Sequence, residues 1–113
     1  MRFALLLPGI LAFAAPALAS PSSDADVFEA RCAACHGADG RARTPQGRKI
    51  KAKDLRESRL TAPEIERQIR EGSRVKTGIS VMPPVGRDLS DEEIRAAVRV
   101  VLSFRVPESP ARP

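Results

Sequence analysis

The chain has 113 residues, 42% apolar and 29% charged, with a formal net charge of +5, which is enough for one domain. The chain has a single His and two Cys, and the lack of further His or Cys argues against independent enzymatic activity. The positive charge does not point to nucleic acid either, because no aromatic residues interleave the basic ones.

The amino terminus reads as a targeting segment. Met1 and Arg2 give a short positive start, Phe3 to Ala15 form an apolar run, and Ala17-Leu18-Ala19 is a small-x-small cleavage site. Residues 1–19 are therefore expected to be a signal peptide, removed after Ala19, and the chain to be exported. The apolar run is short of the about 20 residues that a spanning helix needs. Pro8, Gly9 and Pro16 further weaken a membrane anchor or a buried helix. Cleavage removes 19 of the 113 residues and one cation, Arg2, leaving 94 residues with a net charge of +4. That remainder has no Trp, no Tyr and only two Phe, Phe28 and Phe104. A domain this small buries about 60–65% of the surface its unfolded chain exposes and tends to need a disulfide, metal or cofactor to close. The domain is expected over residues 20–106, with a flexible tail over 107–113.

An all-α fold is predicted. A first helix spans about 24 to 34, capped by Ser23 or Asp24, with Asp26 and Glu29 placed where negative charge suits a helix start. Residues 37–53 read as a loop rich in Gly, Arg and Pro, and 54–58 as one further turn. Thr61-Ala62-Pro63-Glu64 is a capping box, with Leu60 and Ile65 as its hydrophobic staple. The helix it starts has Ile65 and Ile69 as its apolar stripe and stops at Gly72. Residues 73–88 are irregular by composition. A second capping box, Ser90-Asp91-Glu92-Glu93, with Leu89 and Ile94 as staple, opens the last helix. There Ile94, Ala97, Val98, Val101 and Leu102 repeat at helical spacing. Phe28 and Phe104 lie on the first and last helices and could meet where these cross.

Cys32-Ala33-Ala34-Cys35-His36 carries the chemistry, because C-x-x-C-H is the attachment motif for c-type haem. Thiols three residues apart on a helical turn share a face, so both can add to the vinyl groups of one porphyrin. The His one residue further on lies on the same face and places its imidazole beneath the iron. Three rival readings are weaker. A disulfide across so short a loop stabilises little, a redox dithiol expects a preceding strand, and a structural zinc site wants a fourth ligand. The cofactor read from the motif is one covalent haem c per chain.

His36 and Met82 are the sole His and Met of the processed chain, so ligation by two histidines is excluded. A lone Met is usually core filler. Met82, however, sits in Ser80-Val81-Met82-Pro83-Pro84-Val85, where two prolines stiffen a loop that can hold the thioether out at low entropic cost. The expected site is thus Cys32, Cys35, His36 and Met82, with His36 and Met82 on the iron.

The order of Phe28 four residues before Cys32, the Cys32–His36 motif followed by Gly37, LTAPEIERQIREG, MPP and LSDEEIRAAVRVVLSF resembles a class I, mono-haem c-type cytochrome of the bacterial periplasm. The resemblance covers nearly all of 24–105. It implies the small cytochrome c fold, with the first and last helices crossing around a covalent haem, His36 as the proximal and Met82 as the distal ligand, and one-electron transfer. It also implies that a proline carbonyl in the following loop orients the proximal imidazole, and Pro45 is the matching candidate. Tyr and Trp donors to haem propionates do not exist in this chain, so Arg48, Lys49 or Lys53 would take that role.

Function is then electron carriage without catalysis, between a donor and an acceptor protein. Arg41, Arg43, Arg48, Lys49, Lys51 and Lys53 are dense around one loop. They read as a solvated loop or as a docking face for an acidic redox partner, since summed charge raises encounter rates. Two other functions remain open: a haem-bearing subunit of a dehydrogenase or oxidase complex, and a haem c sensor or enzyme with a displaceable distal ligand.

Overall fold

The computed structural model describes residues 9, 12–15, 22–74 and 81–106. The cleavage site after Ala19, the tail at 107–113 and most of the spacer between Gly72 and Gly78 lie outside the described residues. Among the described residues no helix is long and apolar enough to cross a membrane.

The fold is all-α, as expected, with five helices and two short 3-10 turns among the described residues. Helix α1, Asp24–Arg31, begins with a capping box in which Ser23 Oγ accepts from the Asp26 N–H at 3.1 Å and Asp26 returns the contact to the Ser23 N–H at 3.0 Å. The sequence reading placed the cap at Ser23 or Asp24, and Ser23 takes it. Helix α2, Ala33–His36, follows immediately, and α3, Pro45–Lys49, lies inside what read as a loop. A 3-10 turn at Leu55–Glu57, capped by Asp54, leads to α4, Ala62–Glu71. At its start the Glu64 carboxylate accepts from both the N–H and the hydroxyl of Thr61, at 2.7 and 2.8 Å. Gly72 ends it at φ 74°. A second 3-10 turn at Val85–Asp88 precedes α5, Asp91–Ser103, whose Ser90–Glu93 box is complete.

One feature is not helical. Strands β1, Ser73–Arg74, and β2, Val81–Met82, pair antiparallel, with Ser73 opposite Met82 and Arg74 opposite Val81. Two residues per strand give no alternating pattern to read, so the region looked merely irregular.

Helices α1 and α5 pack against each other. Phe28 and Phe104 meet edge to face, with ring centroids 5.2 Å apart at 66°, a geometry the ring quadrupoles favour. The core joins Phe28 to Ile65 and Ile69 of α4, Leu89, and Ile94, Ala97, Val98 and Val101 of α5. The expected stripe of α5 is therefore buried, except that Leu102 is half-buried and Ala96, left out of that stripe, is covered. The Leu89–Ile94 staple is buried, whereas Leu60 stays 37% exposed. Two arginines tie the helices at their ends. Arg99 of α5 makes a bidentate contact with Asp24 at 2.7 and 2.9 Å, and Arg70 of α4 reaches both Glu66 and Asp91 at 2.9 Å.

Ile94 is fully enclosed, so Ile94→Ala is expected to remove about 2–5 kcal/mol of stability through lost transfer energy and a residual cavity, measurable by denaturant unfolding. The pH response follows from the caps and ties. Hydrogen bonds from Arg99 hold the Asp24 carboxyl below its usual value, those from Ser23 do the same for Asp26, those from Thr61 for Glu64 and those from Arg70 for Asp91. A carboxyl whose pKa is depressed on folding adds stability that is complete above its unfolded pKa, about 4, and is lost as pH falls through the folded value. Melting temperature is expected to drop below about pH 4, and Asp24→Asn should make that drop shallower in thermal unfolding followed at several pH values.

Candidate functional site

Cys32 sits at a break between helices. It ends α1 with its N–H bonded to the Phe28 carbonyl, and its φ of −121° turns the chain before the next turn of helix begins. Its own carbonyl accepts from the N–H groups of Cys35, at 3.2 Å, and His36, at 2.9 Å. The motif therefore occupies its own helical turn, where a single helix from 24 to 34 was predicted. The next segment braces that turn. The Thr44 hydroxyl donates to the Ala34 carbonyl at 2.7 Å and accepts from the Gly47 N–H at 2.9 Å. One side chain thus caps α3 and satisfies the carbonyl end of α2. The signal was present in Thr44-Pro45, a cap residue followed by Pro at the first helical position.

The imidazole of His36 is oriented by the carbonyl of Lys53, 3.1 Å from Nδ1. Pro45, the expected partner, is not used. It is the first residue of α3, where carbonyls are directed into the helix's own hydrogen bonds. A carbonyl can only accept, so Nδ1 carries the proton and Nε2 presents a lone pair. Burial also pushes the His36 pKa down, which keeps the ring in this neutral, ligating form.

The two thiols are not bridged to each other. Burial, with a smaller contribution from Cys35, pushes the Cys32 thiol up to about 11. Little of it is thiolate at neutral pH. Among the described residues no group of three or more His, Cys, Asp or Glu is arranged to hold a metal ion.

Cys32, Cys35, His36 and Met82 all line one cavity of about 460 Å³. Met82 is half-buried there, on the strand paired with Ser73. The apolar walls come from Phe28, Leu55, Ile65, Ile69, Ala97 and Val101, residues of α1, the first 3-10 turn, α4 and α5. The volume falls within the about 300–1,000 Å³ common for cofactor sites. The lining has the chemistry a c-type haem requires: two thiols for tethering, an imidazole nitrogen and a thioether for the iron, and apolar surface for the macrocycle. The residues fit the group. Its cationic lining is Arg31, Lys53 and Arg59. Of the three residues considered for the propionates, only Lys53 is among them. Arg48 and Lys49 end α3 and do not line the cavity, while Arg31 and Arg59 were not anticipated.

Residues 19–99 match the family described as cytochrome c oxidase, cbb3-type, subunit III. Among solved structures, the KustC0563 c-type cytochrome is similar, with a TM-score of 0.63 and 27% identity, over 75% of this chain and 100% of that chain. No curated protein matches the sequence. A haem-attachment motif in its own braced turn, a cavity of suitable lining and a family match over most of the length lead to one conclusion: the chain belongs to the cbb3-type subunit III family and is a c-type cytochrome, whose work is haem-based electron transfer.

Proposed function

We propose that this protein is a one-electron carrier of the periplasm, with one haem c per chain tethered through Cys32 and Cys35 and ligated by His36 and Met82. The observation that supports this most is the convergence of those four side chains on one cavity, with His36 already fixed by Lys53 in the tautomer that ligates.

Each residue has a defined task. Cys32 and Cys35 would hold the haem through thioether bonds, each S–H adding across a vinyl group with its proton going to the neighbouring carbon, so that no oxidant would be needed. His36 holds its proton on Nδ1 and offers Nε2. Met82 offers a soft, neutral sulfur, a ligand that raises the reduction potential. Phe28, Ile65, Ile69 and Val101 exclude water from the same space. The haem, when bound, supplies the Fe(III)/Fe(II) couple. If His36 and Met82 both held the iron, no site would be left for a substrate, which would favour a carrier over an enzyme or sensor.

The partner is an acidic redox protein that meets the basic segment from Arg41 to Lys53. Arg48 and Lys49 lie in the last turn of α3, and Lys53, four residues further on, lines the cavity, so the basic segment runs up to the cavity wall. A small, weak interface suits such transient exchange. A second reading, a haem-bearing subunit of an oxidase complex, is favoured by the family description. Co-purification with an oxidase at high salt would select it over a freely diffusing shuttle.

Replacing both Cys32 and Cys35 with Ala is expected to give a chain without covalent haem that fails to fold compactly. Circular dichroism checks this, and a folded, helical apo-protein would contradict the cofactor's role in the core. Met82→Ala should lower the reduction potential and let the ferrous protein bind carbon monoxide. Redox titration that returns the original potential would remove Met82 from the iron.

A further inference from the structure

The segment bearing Met82 is held against the end of α4 by direct backbone contact at two glycines. Gly72 lies under its start. A Cβ there would be 2.5 Å from the Met82 carbonyl oxygen, 3.0 Å from the Pro84 nitrogen and 3.2 Å from the Pro83 carbonyl carbon. Its φ of 74° with ψ of 179° is also a conformation essentially confined to glycine. Gly86 closes the other end, where a Cβ would be 2.7 Å from Arg70 Cα and 3.3 Å from the Ile69 carbonyl oxygen. Between these contacts run Pro83 and Pro84, whose rings fix φ and remove two N–H donors, so the segment has little slack. The Ser73–Met82 pairing adds a third tie at the same point. The platform is itself anchored, with Ile65 and Ile69 buried and Arg70 tied to Asp91 at 2.9 Å.

We propose that Gly72 and Gly86 are positioning residues for the distal ligand, forming a backbone clamp that keeps the Met82 thioether at bonding distance from the iron. This rests on the reading of Met82 as a ligand. The magnitudes make the clamp consequential. Relieving a 2.5 Å approach to ordinary contact at 3.4 Å or more displaces the Met82 backbone by more than the about 0.5 Å within which a functional group must be held. To keep an iron–sulfur bond after such a shift, the Met82 side chain would have to leave the rotamers that serve the wild-type backbone.

The test uses the holo-protein carrying Gly72→Ala or Gly86→Ala, with Val98→Ala as a control. Val98 is a core residue that does not line the cavity, so its truncation destabilises the fold without touching the clamp. In the ferric state the sulfur-to-iron charge-transfer band is expected to weaken or vanish in both glycine variants. Their potential should fall towards that of Met82→Ala, and their ferrous forms should bind carbon monoxide. Val98→Ala should keep the band, the potential and the closed iron despite a lower melting temperature. If Gly72→Ala does not fold, Gly86→Ala, which has no positive φ to violate, decides alone. A folded glycine variant with an unchanged band and potential overturns the clamp while leaving Met82 as the ligand. A wild-type protein without the band, and with a potential unaffected by Met82→Ala, overturns the ligation itself and the clamp with it.

Discussion

The structure depends on hydrophobic closure around one space. Phe28, Leu55, Ile65, Ile69 and Val101 are at once the wall of the 460 Å³ cavity and, Leu55 at its edge, the apolar core of the domain. With two aromatic residues after position 19, the chain has little bulk with which to fill its own centre. A flat apolar cofactor is the economical solution, since interiors are packed to near-crystalline density. Core and site are consequently one object, and stability and function share residues.

Around that space the protein fixes polar atoms by short local devices. Lys53 offers a carbonyl to His36, Thr44 joins α2 to α3, and Asp54 caps the turn that follows Lys53. Each is a backbone or cap contact, so the imidazole is oriented by main chain whose position is fixed by neighbouring turns. Such outer contacts set tautomer and ligand basicity. The arginine ties at Asp24 and Asp91 act at the periphery. They are partly exposed, so they fix helix ends more than they add stability.

How much of this could be read in advance follows from the range of each interaction. The caps at Thr61 and Ser90 and the stop at Gly72 are encoded within a few residues, and they appear as read. The Phe28–Phe104 contact was legible because both residues lie on strongly marked helices whose apolar faces need each other. The Cys32–His36 motif and Met82 were legible because the chemistry admits few alternatives, and the fold brings all of them to one cavity. What escaped has a weak local signature or none. The acceptor for His36 is a main-chain carbonyl, and every residue has one, so the resemblance pointed to Pro45 and the folded chain supplies Lys53. The Ser73–Met82 pairing spans two residues per strand, too few for periodicity. Helix α3 is five residues long, and its cap signal at Thr44-Pro45 was masked by a segment otherwise rich in Gly and Arg. Arg31 and Arg59, the cavity's cations besides Lys53, are distant in sequence and come to line one space only through the fold.

Covalent haem on the Cys32–Cys35 turn is the proposal on which all else depends. The most direct measurement is the intact mass of the chain after denaturation and acid–organic extraction, following expression in cells competent to attach haem. One haem should remain bound, with the added mass located on the peptide containing Cys32 to His36. A colourless chain of unmodified mass, two hydrogens lighter where its two thiols have joined, would contradict it.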